Sequence, residues 1–135
     1  MSTHSPLAAK PKLYIFECNS DTYLTCMEKG LFGSNKNWPL EVKKGDYCLL
    51  HHMEAGTLLG LWQAASDGGR NLDARAWKGK FPYQAKIVQA SVKIDAVAKN
   101  FMEEFQADAT VGRFDNVVDE ELALRIITTM QRASS

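Results

Sequence analysis

The sequence predicts an α+β fold, a small mixed β-barrel flanked by short helices. Four or five stretches of the chain are dense in β-branched and aromatic residues, which is typical of strands. Only two segments place apolar residues at helical spacing, a short one early in the chain and a longer one near its end. A parallel α/β sheet needs a crossover helix after almost every strand, so this small number of helices favours a curled mixed sheet.

The first strand and the first helix follow each other directly. Residues Lys12–Asn19, with the sequence KLYIFECN, predict a strand. A short helix follows, for which Ser20 or Asp21 is the expected N-cap and Gly30 the expected end, because glycine readily adopts the left-handed conformation of a helix C-terminus. Residues 31–46 predict a loop, since Pro39 and Gly45 disfavour a long element.

The middle of the chain predicts a β-hairpin. Residues 46–54 and 57–66 contain two apolar runs joined by a short turn with Gly56. Residues 83–95 alternate between apolar and polar side chains over much of their length, which predicts a further strand. Residues 96–107 fit a strand and a short helix about equally well, and both interpretations stay open.

Residues 115–131 predict an amphipathic C-terminal helix. Acidic side chains crowd its first turn, where Asp115, Asn116 or Asp119 can cap it. Its apolar face is expected to consist of Leu122, Ile126, Ile127 and Met130.

Length, charge and cysteine content indicate one soluble domain. The chain of 135 residues is expected to form a single domain over residues 12–135, after a flexible segment at residues 1–11. Its 16 Lys and Arg balance 16 Asp and Glu, which argues against tight, sequence-independent nucleic-acid binding. Three cysteines do not form a disulfide framework, and no apolar run approaches the ~20 residues of a membrane span. We therefore expect a cytoplasmic protein with no membrane contact.

The pair His51 and His52, close to Cys48, invites a metal site, but the pattern disfavours one. On a strand the two histidines point to opposite faces, and no second pair of ligands lies close in the sequence. Catalysis lacks a motif that joins a nucleophile to a base, and the acid–base candidates are limited to Asp67 and Asp73. We expect no metal, no cofactor and no enzymatic activity.

Aromatic side chains in the predicted loops are the most informative feature. Phe32, Trp38 and Trp77 fall in such loops. A loop aromatic can stack on a nucleobase, or it can close one end of the barrel as a core residue, and composition alone favours the second interpretation. Cations that could meet phosphates surround Trp77, at Arg70, Arg75, Lys78 and Lys80.

Three segments resemble the DCD (development and cell death) domain, which is named for plant proteins. They are YIFECNSDTYLTCMEKGLFG, VKKGDYCLL and LLGLWQAASDGGRNLDARAWKGKFPYQAKI, and the resemblance covers about Leu13 to Val88. About six short motifs of that family recur here in order and with compatible spacing. The DCD domain is similar to the YTH and EVE domains of the PUA-like superfamily. The resemblance therefore implies the PUA-like form of a small mixed barrel.

The same resemblance implies an aromatic cage for a base. In YTH domains two tryptophans clamp an N6-methylated adenine, and the matching positions here are Phe32 and Trp77. Cys18 and Asn19 fall at the strand end that contacts the edge of the base. The other contacts that the resemblance implies are Gly33, Ser34 and, in place of a third cage residue, Trp38.

The expected function is a non-enzymatic, nucleic-acid-binding module. Its partner would be RNA or DNA with a modified (methylated) base, bound in single-stranded or flipped-out form, while Arg70, Lys78 and Lys80 contact phosphates. Two residues depart from the YTH pattern: Phe32 replaces a tryptophan, and Glu17 stands where a lysine is common. The balanced charge favours an alternative, a protein–protein interaction module in stress or cell-death signalling.

Overall fold

A curled, mixed β-sheet forms the centre of the molecule. The computed structural model describes residues 12–54, 57–90, 116–118 and 120–133. The strands in these ranges are β1 (Leu13–Cys18), β2 (Leu31–Ser34), β3 (Tyr47–His52), β4 (Thr57–Ala64), β5 (Gly69–Arg70) and β6 (Tyr83–Gln89). The helices are α1 (Ser20–Lys29), α2 (Glu120–Ala133) and two 3₁₀ helices, Trp38–Glu41 and Ala76–Gly79.

The strand order confirms the predicted fold class. The sheet runs β1-β3-β4-β6-β2, with β5 paired to β6. β1 and β3 are parallel, whereas β3 with β4, β4 with β6 and β2 with β6 are antiparallel. The sheet is therefore mixed, and it curls into a half-barrel with two flanking α-helices. None of the helices in the described ranges is long and apolar enough to cross a membrane.

The sheet separates two apolar clusters, because side chains alternate between the faces of a strand. Leu13 and Ile15 of β1 pack in one cluster, and Tyr14, Phe16 and Cys18 pack in the other. The first cluster receives the buried face of α2, which consists of Leu122, Ala123, Ile126 and Ile127. Each of the larger side chains contributes roughly 1.5–3 kcal/mol when it is fully buried, so this face holds α2 on the sheet.

The helix ends differ in part from the sequence prediction. Asn19, one residue before the predicted caps Ser20 and Asp21, is the N-cap of α1. Its Oδ1 accepts from the backbone N–H of Thr22 at 2.9 Å, and the Thr22 hydroxyl accepts from the Asn19 N–H at 2.9 Å. The helix starts this early because β1 ends at Cys18. At the other end Gly30 is left-handed, with φ 57°, as predicted.

The predicted loop at residues 31–46 is the main error of the sequence prediction. It contains β2, which pairs with β6 from Leu31 opposite Lys86 to Ser34 opposite Tyr83, and it contains the first 3₁₀ helix. Four residues carry too weak a pattern to predict a strand, and β2 forms because β6 offers it an edge.

Asn116 is the other correction, because it does not cap the C-terminal helix. Its backbone carbonyl accepts from the Ile15 N–H at 2.8 Å, so it pairs with the outer edge of β1. The predicted caps Asp115 and Asp119, the turn at Gly56 and residues 91–115 lie outside the described residues. So do residues 1–11 and the side chain of Met130.

The three cysteines are free and buried. Burial raises the pKa of the Cys18 and Cys26 thiols to about 12, and the Glu54 carboxylate adds to the rise at Cys18. Burial also raises the pKa of Cys48, with a smaller effect from Asp46. All three thiols therefore stay protonated at neutral pH, which makes them poor nucleophiles.

Because the pKa values of these thiols are raised in the folded domain, we expect the domain to lose stability in alkali. In the unfolded chain a thiol ionises near pH 8.5, whereas in the folded domain these thiols stay protonated well above that pH. The contribution of these thiols to the free energy of unfolding should therefore be constant below about pH 8 and fall by up to roughly 1.4 kcal/mol per pH unit per thiol between pH 9 and 10. Urea titrations followed by circular dichroism measure this slope. In Cys26→Ala the free energy of unfolding should fall less steeply with pH than in the wild type. Equal slopes in the wild type and in Cys26→Ala would contradict a raised pKa for the Cys26 thiol.

Candidate ligand pocket

A pocket of about 130 Å³ opens at the end of β1 where α1 begins. Two aromatic residues, Trp38 and Phe81, line it. Its polar lining includes Asn19, Ser34 and Asn116, and the lining also includes Cys18, Gly33 and Met53. Residues from five separate parts of the chain thus meet at one place.

Trp38 is held by aromatic packing. Its ring stacks on Tyr14, with an interplanar angle of 5° and ring centroids 5.9 Å apart. It also packs against the Phe16 ring, with centroids 4.5 Å apart. The indole Nε1 is buried, and within the described part of the chain it has no hydrogen-bond partner. An unpaired buried N–H is costly, so Trp38 offers a donor to any acceptor that can reach it.

A close backbone contact positions the 3₁₀ helix that begins at Trp38. The N–H of Gly68 donates to the Val42 carbonyl at 2.9 Å. A Cβ at Gly68 would overlap the carbonyl oxygen of buried Pro39. The first glycine of SDGGRN therefore lets two loops touch, and this contact fixes the helix that carries Trp38.

Trp77 supports the pocket from behind. Its indole N–H donates to the Thr22 carbonyl of α1 at 3.2 Å. A Cβ at Gly33 would lie 2.6 Å from Cζ3 of Trp77, so the indole packs closely on this glycine. The Phe81 ring meets the indole edge-on, with ring centroids 5.6 Å apart. Gly33 and Phe81 line the pocket, but Trp77 does not. Trp77 thus holds two lining residues in place.

The loop that carries Trp77 is tightly specified. Trp77 and Lys78 both have positive φ, 51° and 56°, which side chains rarely adopt unless their surroundings demand it. The buried side chain of Gln84 accepts from the Asp73 N–H at 2.7 Å and donates to the carbonyls of Asp73 and Phe81, each at 3.0 Å. These contacts fix the loop from within.

The acids considered as catalytic candidates have structural partners. Asp73 forms an ion pair with Lys29 at 2.8 Å, and this contact is the largest of those that lower the pKa of Asp73. Asp67 accepts from the Lys44 N–H at 2.9 Å. Neither residue lines the pocket.

Five of the residues proposed from the sequence do come together in the pocket: Cys18, Asn19, Gly33, Ser34 and Trp38.

Phe32 is different, since its side chain is 0 % exposed and packs against Phe16 and Trp62. Phe32 therefore lies in the core and not in the cage that the family resemblance implies, and Trp77 does not line the pocket. The physical reason is the pairing of β2 with β6, which turns Phe32 into the core and Gly33 towards the pocket.

The cations lie around the pocket rather than in it. Arg70, Lys78 and Lys80 are exposed, and the Arg70 guanidinium lies 5.9 Å from the centre of the Tyr83 ring. Lys80 directly precedes Phe81 in the chain, and Lys36 directly follows the lining residue Asn35. Consecutive Cα atoms are about 3.8 Å apart, so the backbone of Lys36 and of Lys80 lies next to the lining.

Some residues that line the pocket were not predicted from the sequence. Phe81 lay inside a recognised motif but without a role, and Asn116 was expected to cap a helix. Met53 carried no sequence pattern that pointed to the site, because only the tertiary fold brings it to the pocket.

Comparisons with known proteins place the chain among plant relatives. A family model described as "Development and cell death domain" matches residues 12–123. The DCD domain-containing protein NRP-A of Glycine max is 33% identical over 89 residues, which are 58% of this chain and 24% of that protein. The B2 protein of Daucus carota is 32% identical over 89 residues, 58% of this chain and 43% of that protein. The match thus spans less than half of either relative.

Solved structures with the same fold are YTH domains. The Mmi1 YTH domain in complex with RNA has a TM-score of 0.68 at 12% identity and covers 91% of this chain and 79% of its own. The Pho92 YTH domain in complex with m6A has a TM-score of 0.62 at 16% identity, over 90% and 84%. The YTH domain of Zygosaccharomyces rouxii MRB1, in complex with N6-methyladenosine RNA, has a TM-score of 0.63 at 15% identity, over 90% and 87%.

Proposed function

Because this chain belongs to the development and cell death domain family, whose fold here is that of YTH domains, we propose that it is a non-enzymatic nucleic-acid-binding module. Its pocket takes one base, and the preferred base carries a methyl modification. The base comes from RNA, or from DNA that is single-stranded or has the base flipped out, since a base in a duplex cannot enter a pocket.

The observation that carries this proposal is the aromatic pocket itself. Trp38 and Phe81 line a space of about 130 Å³. A cavity of roughly 150 Å³ can hold benzene, so the space is about the size that one ring of a base needs. Trp38 is backed by Tyr14 and Phe16, which hold the indole for stacking, and stacking is tolerant of which base is bound.

The fold and the rim charges support the same proposal. YTH domains of this fold have been solved with RNA and with m6A. Lys36 and Lys80 directly adjoin lining residues in the chain and can meet the phosphates beside a bound base, with Lys78 in the loop of Trp77 and Arg70 in β5. The core position of Phe32 moves the proposed stacking wall from Phe32 and Trp77 to Trp38 and Phe81.

The states of the Cys18 thiol and of the Asp73 carboxylate favour binding rather than catalysis. The pKa of the Cys18 thiol is raised to about 12 by its burial, so the thiol is not an activated nucleophile at neutral pH. Asp73 is occupied by Lys29 and by the backbone of its own loop. These observations support a pocket that holds its ligand unchanged.

Replacement of Trp38 by alanine should weaken base binding by roughly 5- to 150-fold, the range expected when one stacking ring of 1–3 kcal/mol is lost. Titration calorimetry with methylated and unmodified nucleosides and short oligonucleotides measures this loss. Leu40→Ala is the matched control, since Leu40 is 44 % exposed in the same 3₁₀ helix and does not line the pocket. Wild-type affinity in a folded Trp38→Ala domain would refute the proposed wall.

A protein partner remains the second candidate function. The chain has a formal net charge of zero, and an exposed apolar side chain, Met53, lines the pocket. An aromatic side chain of a peptide would fit the same space. The calorimetric panel separates the two candidates if it includes short aromatic peptides, because a base-binding module should prefer the nucleosides.

A further inference from the structure

Two asparagine side chains in the pocket have fixed amide orientations. Asn19 Oδ1 accepts from the backbone N–H and the hydroxyl of Thr22, at 2.9 and 3.1 Å. The Asn19 Nδ2 group is therefore the part of this amide that stays available, and it is a donor. A flipped amide would place Nδ2 against the Thr22 N–H, so the capping contact forbids the flip.

Asn116 is fixed in the opposite sense. Its Nδ2 donates to the Ile15 carbonyl at 2.8 Å, and its backbone carbonyl accepts from the Ile15 N–H at 2.8 Å. Val118 continues the pairing by donating to the Leu13 carbonyl at 3.0 Å. Among the described residues no donor contacts Asn116 Oδ1, so this amide offers the pocket an acceptor.

From this pair we infer that Asn116 is a specificity-determining residue of the pocket. The inference rests on the proposed function and adds to it the chemical class of the base. Asn116 Oδ1 accepts an N–H from the edge of the ring, and Asn19 Nδ2 donates to a ring nitrogen or carbonyl. The ligand is thus a heteroaromatic ring whose edge carries both a donor and an acceptor.

This arrangement limits how far an amino group can be methylated. An exocyclic amino group with one methyl group keeps one N–H for Asn116 Oδ1, whereas a group with two methyl groups keeps none. Asn116 Oδ1, covered by the bound ring, would then have no partner, and such an unpaired group costs about a tenfold loss in affinity or more. The pocket should therefore accept the singly methylated base and reject the doubly methylated one.

The same contacts give the C-terminal part of the chain a role. Asn116 reaches the pocket because residues 116–118 pair with β1, and α2, which follows closely in the chain, is held by its buried face. The buried face of α2 is thus linked to the edge of the pocket through a few residues of chain.

Calorimetry with N6-methyladenosine and N6,N6-dimethyladenosine tests the inference. The wild type should bind the monomethyl nucleoside at least about tenfold more tightly. Asn116→Ala should narrow this ratio to about threefold or less, while Val117→Ala, altered at a 51 % exposed neighbour outside the pocket, should keep it. Thermal melting by circular dichroism checks that both variants fold.

A second variant keeps the inference testable if Asn116→Ala does not fold. Asn19→Asp retains a good N-cap but replaces the Nδ2 donor with an oxygen. It should bind both nucleosides at least about tenfold more weakly and leave their ratio unchanged.

The outcomes separate the two proposals. An unchanged ratio in a folded Asn116→Ala domain, or wild-type affinity in Asn19→Asp, overturns the inference alone. A wild-type domain that binds no nucleoside or oligonucleotide overturns the proposed function, and the inference with it.

Discussion

Replacement of Trp77 by alanine is expected to destabilise the domain by about 3 kcal/mol, within the range seen when a large packed aromatic is removed. The change removes the indole that packs on Gly33 and Phe81, and it removes the hydrogen bond to the Thr22 carbonyl. Base binding should weaken as well, since both packing partners line the pocket. Urea denaturation followed by tryptophan fluorescence measures the loss.

Trp77→Phe is the informative companion. This variant keeps a ring over Gly33 but has no N–H for the Thr22 carbonyl. It should therefore lose about 1 kcal/mol of stability for the missing hydrogen bond, and a further amount because the phenyl ring buries less surface than the indole. If Trp77→Ala unfolds at the wild-type urea concentration but no longer binds a base, Trp77 is a wall of the pocket rather than its support.

Replacement of Gly68 by alanine should cost about as much, roughly 3 kcal/mol, for a steric reason. The new Cβ would overlap the Pro39 carbonyl oxygen, which is backbone and cannot turn aside like the end of a side chain. Relief requires the two loops to separate, which would move the 3₁₀ helix that begins at Trp38. We therefore expect weaker base binding together with a lower melting temperature.

The adjacent glycine provides the control for this prediction. A Cβ at Gly69 would meet Cδ2 of Leu72 at 2.9 Å, and Leu72 is an exposed, flexible side chain. Neither Gly68 nor Gly69 has a positive φ, so backbone strain does not separate them. Gly69→Ala should change stability by less than about 1 kcal/mol. Equal costs at the two positions would contradict the steric account.

The elements with strong local patterns could be predicted from the sequence. β1, the hairpin of β3 and β4, and the apolar face of α2 follow from residue type and periodicity, because burial on one face imposes that periodicity. Gly30 was predicted for the same kind of local reason. The mixed topology followed from the small number of helices.

The walls of the pocket could not be predicted in the same way. Phe32 and Trp38 both fall in the loop predicted at residues 31–46, yet the pairing of β2 with β6 buries the first, whereas the second lines the pocket. Asn116 is about a hundred residues from Ile15 in the chain, and no local sequence pattern predicts their contact. Such long-range pairing is decided by the whole fold, whereas local pattern decides only the elements.

Trp77 shows how the two levels combine. Composition alone favoured a core role, and the family resemblance favoured a wall of the pocket. In the structure it packs behind two lining residues and donates to the first turn of α1. Its position in the family motif therefore reflects support of the site.

The most direct test of the pocket is the indole N–H signal of each tryptophan in ¹H–¹⁵N NMR spectra during titration with N6-methyladenosine. The chain has three tryptophans, Trp38, Trp62 and Trp77, so three such signals are expected. The Trp38 signal should shift progressively and saturate, because its Nε1 has no partner and its ring lines the pocket. The Trp77 signal, held by the Thr22 carbonyl, should move much less. A stationary Trp38 signal at saturating nucleoside would contradict the proposed binding site.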